Sequence, residues 1–326
     1  MAARAQEPAR LDILDLRHFR AQDLTTLLDE EARIWAGQLR WDFTASSELV
    51  RRYLDQRALA GFALVAGSAP VGYTYYVHEE HKALVGDLFV SAAFRTPEAE
   101  HALLRHIIQQ IRRVPSVRRV EAQLMMIESP AAASQFPAAE VVTFERNFML
   151  AEGIRRMPRA LFGPQPDPAM AFEPFTDRHV DAAAYLIARS YVGHIDSQIN
   201  DQYESVAGAR RFLNNITQYP GCGAFHAPAA MVAIDSAEGD LCGVSLTSLV
   251  GYGVGHITQV CVSSHKRNRG IGAELLWRSA QVFCRAGCDA ISLTVTAANT
   301  GAVRLYQRIG FRTLRRFRAF VWRGWR

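Results

Sequence analysis

One order of strand-like and helical segments occurs twice along this chain of 326 residues. Each half opens with a short strand, continues with two helices and three strands, and then begins another helix. In the first half we expect these elements at residues 11–16, 24–35, 47–57, 62–65, 71–77 and 84–90, with the next helix capped by Thr96. In the second half we expect them at 171–175, 180–191, 203–216, 231–234, 241–249 and 256–262, followed by a helix at 270–286, a strand at 290–296 and a helix at 299–309.

Corresponding strands of the two halves lie roughly 160–170 residues apart, which indicates a duplicated domain. Strands that alternate with helices favour an α/β or α+β sheet architecture. Between the halves, the segment Gly163–Pro168 carries three prolines, and proline disfavours both helix and sheet. We therefore predict a domain at residues 1–163, a proline-rich linker at 164–169 and a second domain at 170–326.

The composition is that of a globular chain in which each half can bury its own core, with 49% hydrophobic and 21% charged residues. The chain has no run of about 18 apolar residues and no apolar segment near its start, so we expect a cytoplasmic protein without a membrane partner. Its five cysteines are irregularly spaced and are expected to be free thiols. Cys284 and Cys288 lie one helical turn apart, but two thiols are too few for a structural zinc site, and no metal is expected.

A glycine- and arginine-rich run, His265 to Ala273, follows a predicted strand and opens a predicted helix. Glycines at such a turn allow backbone N–H groups to converge on an anion, and the helix N-terminus adds partial positive charge. Lys266, Arg267 and Arg269 add full charges, in a chain whose formal net charge is +5. The run predicts a pyrophosphate-binding loop. Its alternative is a glycine-rich turn with solvated arginines.

A second motif, Asn299 to Phe311, lies downstream and contains Ala302, Leu305-Tyr306 and Gly310-Phe311. Together, the two motifs and the order of elements around them resemble the GNAT acetyltransferase superfamily over most of residues 170–326. The resemblance implies two tandem GNAT-like domains, each with a mixed, mostly antiparallel central sheet flanked by helices. It also implies acetyl-CoA as the acyl donor. The tandem arrangement is similar to that of mycothiol synthases.

Several site residues are implied by this resemblance. The backbone of the strand end Val260, Cys261 and Val262 would bind the pantetheine of the donor, as an added strand would. Asn299 would help to hold the donor where two strands splay apart, and Tyr306 would protonate the departing thiolate. The alternatives are a helix cap for Asn299 and an aromatic packing residue for Tyr306. The pyrophosphate would be bound by Arg267, Asn268, Arg269, Gly270, Ile271, Gly272 and Ala273.

His256 is the candidate general base, because it stands where many members of this family place a glutamate. A histidine with an ordinary pKa near 6.5 can accept a proton at neutral pH. Regular alternation predicts that His256, Thr258, Val260 and Val262 share one face of the strand. The alternative is a structural histidine whose hydrogen bonds are satisfied within the strand.

The acceptor pocket in this family is formed mainly by the first two helices and their loop. Here that loop is dense in polar residues, and its carboxylates could attract a cationic amine. The alternative is a solvated loop that caps the next helix. The turn Pro220–Gly223 is expected to border the same pocket, without Cys222 acting as a covalent nucleophile. The candidate acceptor-binding residues are His194, Asp196, Asn200, Asp201 and Tyr203.

The first half departs from the family pattern at the equivalent loop. Pro97 removes a backbone donor, and Glu98 and Glu100 would repel phosphate. This half is therefore expected to be a degenerate, non-catalytic GNAT-like domain.

The predicted function is acetyl transfer from acetyl-CoA to an amine by direct attack, with the active site in the second half and a small molecule or a protein or peptide amine as acceptor. The alternative is a non-catalytic acyl-CoA-binding regulatory or scaffold protein. The sequence leaves open whether the chain forms a homodimer. Nucleic acid is not the expected partner, although arginines alternate with apolar residues near the end of the chain, as in an exposed edge strand. These are Arg315, Arg316, Arg318, Arg323 and Arg326.

Overall fold

The computed structural model describes residues 10–127, 136, 141–219 and 221–324, so Pro220 and Arg326 lie outside the described residues. The chain divides into two compact units, and each draws on both halves of the sequence. The first unit comprises the described residues of 1–34, 46–144 and 317–326, and the second those of 35–45 and 145–316. The residues of the predicted linker, 164–169, lie within the second unit, and the domain boundary there stays a prediction.

The first unit is built on a six-stranded sheet in the order β1-β2-β3-β4-β5-β13, to which β13 (Arg312–Arg323) contributes its residues from Phe317 onward. Neighbouring strands are antiparallel, except for the parallel pair β4 and β5. Helix α3 packs on this sheet through Leu103, Leu104 and Ile107. The elements are β1 (Leu11–Asp15), α1 (Thr25–Leu39), α2 (Thr44–Asp55), β2 (Gly61–Ala66), β3 (Ala69–Glu79), β4 (Lys82–Val90), α3 (Pro97–Ile111) and β5 (Arg119–Leu124).

The second unit repeats this plan in the order β6-β12-β11-β10-β9-β7, with the short strand β8 also on β10. Here the parallel pair is β11 and β12, and the other neighbours are antiparallel. The elements are β6 (Val141–Glu152), β7 (Met170–Pro174), α4 (Val180–Ser190), α5 (Ile195–Ile199), α6 (Val206–Gln218), β8 (Ala224–Phe225), β9 (Met231–Asp235), β10 (Leu241–Gly251), β11 (Val254–Val262), α7 (Ile271–Arg285), β12 (Ala290–Thr296) and α8 (Thr300–Ile309).

The two sheets share a detail beyond strand order. In each, the register shifts four residues before the end of the strand that precedes the loop, at Gly86 in β4 and at Thr258 in β11. The parallel pairing of that strand with its neighbour ends just before the shift, at Val85 and at Ile257. The expectation of two tandem, mixed and mostly antiparallel sheets flanked by helices is confirmed.

Each sheet is completed by a strand from the other half of the sequence. Residues 318–323 of β13 pair with β5 in the first unit, and residues 146–152 of β6 pair with β12 in the second. The expectation of an exposed edge strand near the end of the chain is wrong, because Phe317, Phe320 and Trp322 of β13 are buried. Local sequence could not reveal this exchange, since pairing partners are set by tertiary packing.

The helix boundaries follow the predicted signals. Thr96 caps α3, with its hydroxyl accepting a hydrogen bond of 3.2 Å from the N–H of Ala99. Gly310 ends α8 with φ +112°, a left-handed conformation that favours glycine. The helix expected at residues 203–216 begins only at Val206, after a 3₁₀ turn. Helix α5 was not predicted, because five residues carry too little periodicity. In the part of the chain that is described, no helix has the length and hydropathy needed to cross a bilayer.

Candidate functional site

The bulge in β11 decides which side chains reach which face of the sheet in the second unit. Ile257 and Val260 pack in the cluster that contains α7 and α8, whereas Cys261 packs with α4 and α6 on the other face. The extra residue at the bulge interrupts the period of two. The predicted common face for His256, Thr258, Val260 and Val262 is therefore wrong: Val260 and Val262 lie on the α7 side, while the ring of His256 contacts residues of the other face.

The parallel pairing of β11 with β12 joins residues 254–257 to residues 290–293, and within the described part of the sheet it does not continue beyond the bulge. Residues 259–262 pair with β10, on their other side. The backbone of Val260, Cys261 and Val262 therefore faces a gap between two strands that are paired lower down. Such a gap leaves backbone donors and acceptors for an extended ligand.

The loop that follows β11 ends at the N-terminus of α7, where Gly270 has φ +78° and no side chain caps the helix. Among the described residues, no acceptor takes a hydrogen bond from the backbone N–H groups of residues 267–273. A Cβ on Gly272 would meet only the Val262 side chain, at 3.5 Å, which is an ordinary van der Waals distance, so a side chain can be accommodated beside this glycine. Free amides, a helix N-terminus and open space fit an anion such as a pyrophosphate.

The basic residues of this loop have different surroundings. The Lys266 ammonium pairs with Asp235 at 2.5 Å and with Glu238 at 3.6 Å. Arg267 donates a hydrogen bond of 2.9 Å to the carbonyl of Ser190 at the end of α4. Arg269 is exposed. The loop thus offers its backbone and the arginines to an anion, while Lys266 is held by carboxylates of the protein.

The predicted acceptor residues lie beside the start of α8. The Asp196 carboxylate accepts a short hydrogen bond from the hydroxyl of Thr296, the last residue of β12. The Nδ1 atom of His194 accepts from the backbone N–H of Asp196 at 3.2 Å, and its Nε2 atom lies 3.3 Å from Nδ2 of Asn299. Asn299 also caps α8 by accepting from the N–H of Ala302. Two motifs about a hundred residues apart therefore meet in one cluster.

Tyr306 belongs to the same neighbourhood. It is buried, and burial, reinforced by the negative charge of Asp196, raises the pKa of its phenol above the usual value. Its hydroxyl makes no hydrogen bond with the described residues. A tyrosine that stays protonated and keeps a free hydroxyl can donate a proton to a group that develops negative charge.

Two further tyrosines and a glutamine extend the cluster. Gln259, the residue after the bulge, donates a hydrogen bond of 2.8 Å to the Tyr191 hydroxyl and accepts a longer one of 3.4 Å from Tyr203. The rings of Tyr191 and Tyr203 are 4.5 Å apart. Asn200 accepts from the N–H of Gln202 and also bonds Tyr203. Asp201 opens the 3₁₀ turn that carries Tyr203.

His256 contacts a different set of residues from the cluster around Asp196. Its ring is 5.0 Å from that of Trp41 and 6.2 Å from that of Phe148, and its Nδ1 atom is 2.9 Å from the Ser292 hydroxyl. Burial lowers the pKa of His256 to about 3. An imidazole with such a pKa is neutral at pH 7, yet it is a weak proton acceptor. Its role as general base stays a prediction, and these surroundings weigh against it.

Thr296, Gln259 and Tyr191 were not predicted as site residues. The sequence offered one signal for Thr296, which is its position at the end of the strand just before the Asn299 cap. It offered no signal for Gln259, since only the bulge directs this side chain toward Tyr191. In the described part of the chain, no group of three His, Cys, Asp or Glu residues could hold a metal ion.

At the equivalent strand and loop of the first unit, glutamates of the protein itself accept hydrogen bonds. The residue after the bulge of β4 is Asp87, and burial raises the pKa of this carboxyl while a hydrogen bond with Glu31 opposes that effect. The Tyr73 hydroxyl donates to Glu31 at 2.7 Å. In the loop, the N–H of Ala92 donates to Glu30 at 2.7 Å. Together with the capped start of α3, these contacts leave fewer free donors than the loop before α7 has.

Part of the second half is similar in sequence to known proteins. Residues 181–311 match the acetyltransferase (GNAT) family. A stretch of 57 residues is 37% identical to N-alpha-acetyltransferase MAK3 of Arabidopsis thaliana, and it covers 18% of this chain and 30% of that protein. The chain thus spans less than a third of the length of that relative.

Two solved structures match nearly the whole chain. A GCN5-related N-acetyltransferase from Sphaerobacter thermophilus has a TM-score of 0.69 at 17% identity, and the match covers 96% of each chain. A tandem GNAT protein from the clavulanic acid biosynthesis pathway has a TM-score of 0.62 at 15% identity, covering 96% of this chain and 98% of the other. At these identities, the likeness shows a shared tandem fold.

Proposed function

We propose that this chain transfers an acetyl group from acetyl-CoA to an amine by direct attack, since its residues 181–311 match the GNAT acetyltransferase family, whose members use acetyl-CoA as acyl donor. We place the active site in the second compact unit. The observation that carries this proposal is the set of uncapped amides at residues 267–273, next to the gap between β11 and β12.

These residues would hold the donor at two places. The N–H groups of the loop and of the first turn of α7, with Arg267 and Arg269, would bind the pyrophosphate. The backbone of Val260 to Val262 would bind the pantetheine in the gap, and Asn299 would close the gap from the start of α8. When bound, acetyl-CoA supplies a thioester carbonyl that an amine can attack.

Tyr306 would hold a proton for the leaving sulfur. Its raised pKa keeps the phenol protonated at neutral pH, and its hydroxyl has no competing acceptor among the described residues. Burial also strengthens a hydrogen bond from this phenol to the departing thiolate, because water does not screen the developing charge.

Asp196, rather than His256, would bind and deprotonate the acceptor amine. Its carboxylate is fixed by Thr296 and lies close enough to Tyr306 to influence that phenol electrostatically. The side chain of Asp196 is 15% exposed, so an acceptor can reach it. His256, by contrast, is enclosed by Trp41 and Phe148.

Calorimetric titration with acetyl-CoA tests the proposal on the intact chain and on two variants. Gly272→Glu puts a negative charge into the open space beside the free amides, and Gly37→Glu adds the same charge on an exposed helical glycine outside the loop. We expect one site per chain, lost in Gly272→Glu and kept in Gly37→Glu. Absence of binding to the intact chain would overturn the proposal. Binding without release of free thiol in the presence of any amine would favour a regulatory acyl-CoA-binding protein.

A further inference from the structure

Arg146 of β6 stands at the border of the same cluster and is used by no part of the mechanism above. Its Cα pairs across the sheet with that of Thr296, whose hydroxyl bonds Asp196. The Arg146 side chain is only partly exposed, and its Nε atom is buried without a hydrogen-bond partner. Among the described residues, it makes neither a hydrogen bond nor an ion pair.

The charge of Arg146 acts on the polar loop that lines the cluster. Burial raises the pKa of Tyr203, and Arg146 lowers it while Asp196 raises it further. Arg146 likewise opposes the effect of burial on the Cys222 thiol. A guanidinium and a carboxylate thus act on the same tyrosine, yet Arg146 and Asp196 form no ion pair with each other.

A buried guanidinium nitrogen without an acceptor is costly, and a ligand that supplies the acceptor removes the cost. The planar guanidinium matches a carboxylate, which can accept two parallel hydrogen bonds. The phosphates of the donor have their own site at residues 267–273, so Arg146 is available for the acceptor. With Asp196 opposite an ammonium and Arg146 opposite a carboxylate, each charge of the protein is balanced by one charge of the acceptor.

We propose that Arg146 binds a carboxylate of the acceptor, and that the acceptor is a small amine carrying both groups, as an amino acid does. This inference rests on the proposed acetyl transfer in the same cluster. It selects a zwitterionic small molecule over the N-terminus of a protein, because the α-carboxyl group of an N-terminal residue is in a peptide bond.

The test pairs each L-amino acid with its C-terminal amide as acceptor. Thiol release gives kcat and KM, and ligand-observed NMR on the acetyl-CoA-saturated protein gives binding without turnover. The variants are Arg146→Gln, Arg146→Lys and the control Arg285→Gln, which removes an exposed arginine at the end of α7. Calorimetry with acetyl-CoA, unchanged in all three, shows that the variants fold and bind the donor.

We expect at least one amino acid to be preferred over its amide by about tenfold or more in kcat/KM, through KM. Arg146→Gln should erase this preference, Arg146→Lys should restore part of it, and Arg285→Gln should keep it. Equal use of acids and amides by the intact protein, an equal loss for both in Arg146→Gln, or no binding of any amino acid would each overturn the inference. Binding of the acid that depends on Arg146 without thiol release would leave the inference standing and count against acetyl transfer.

Discussion

The hydroxyl of Thr296, at the end of β12, donates a hydrogen bond to the carboxylate of Asp196 on α5. This contact joins the polar loop of residues 191–203 to the strand that leads into α8. It fixes a carboxylate near Tyr306, although nothing in the local sequence of either residue specifies the pair.

Replacement of Asp196 by asparagine should lower kcat/KM for the acceptor by about 100-fold or more, since an amide neither attracts an ammonium nor takes its proton. Binding of acetyl-CoA should be unchanged. Thiol-release kinetics and calorimetry measure the two effects, with the exposed Asp240→Asn as the control. A full rate in Asp196→Asn would remove this residue from the mechanism.

Tyr306→Phe should lower kcat by about 10- to 100-fold without weakening acetyl-CoA binding, because the phenol proton serves only the departing thiolate. The pKa of Tyr306 is raised, so its ionisation should not reduce the rate as pH rises to about 10. The matched control is Tyr252→Phe, since Tyr252 is fully exposed. A rate loss that appears in KM for acetyl-CoA instead would indicate a packing role.

His256→Gln should keep the rate at neutral pH and change the response to acid. The native pKa of about 3 lies below the ordinary 6.5, so the unfolded chain binds the proton more readily between these values. The contribution of neutral His256 to the free energy of unfolding is therefore complete above pH 6.5 and is lost as pH falls toward 3. About 2 kcal/mol of it is lost at pH 5. The free energy of unfolding, measured with urea, should differ less between pH 7 and pH 5 in the variant than in the native protein. If the variant instead loses its activity while its free energy of unfolding depends on pH as in the native protein, His256 is the general base.

Residues 170–326 expressed alone should fail to fold as the second unit. That unit includes Trp41, which packs on His256 and Phe148, and β6, which pairs with β12 along residues 146–152. Without them, β12 becomes an open edge. Circular dichroism during thermal unfolding should lack a cooperative transition for this fragment. In the full chain, Trp41→Ala should cost about 3 kcal/mol, and a cooperative, stable fragment would contradict this expectation.

The sequence by itself determined many of the elements and marked the glycine- and arginine-rich loop of the second half as a candidate anion site. Strand alternation, the Thr96 and Asn299 caps and the glycines that end the helices all act within a few residues, so they can be interpreted locally. The polar loop of residues 191–203 was also recognisable as a candidate site, because its polar side chains do not fit the hydrophobic pattern of a helix or strand.

Only the tertiary structure decided how the halves share strands and which side chains meet. The exchange of β6 and β13 depends on pairing between residues far apart in sequence, and propensity does not encode a partner. The bulge at Thr258 redirects Gln259 toward Tyr191 and separates His256 from Val260, since one extra residue reverses the faces of a strand. For the same reason, Arg146 gains its place opposite Thr296, the residue that bonds Asp196, through pairing across the sheet, which no local pattern encodes.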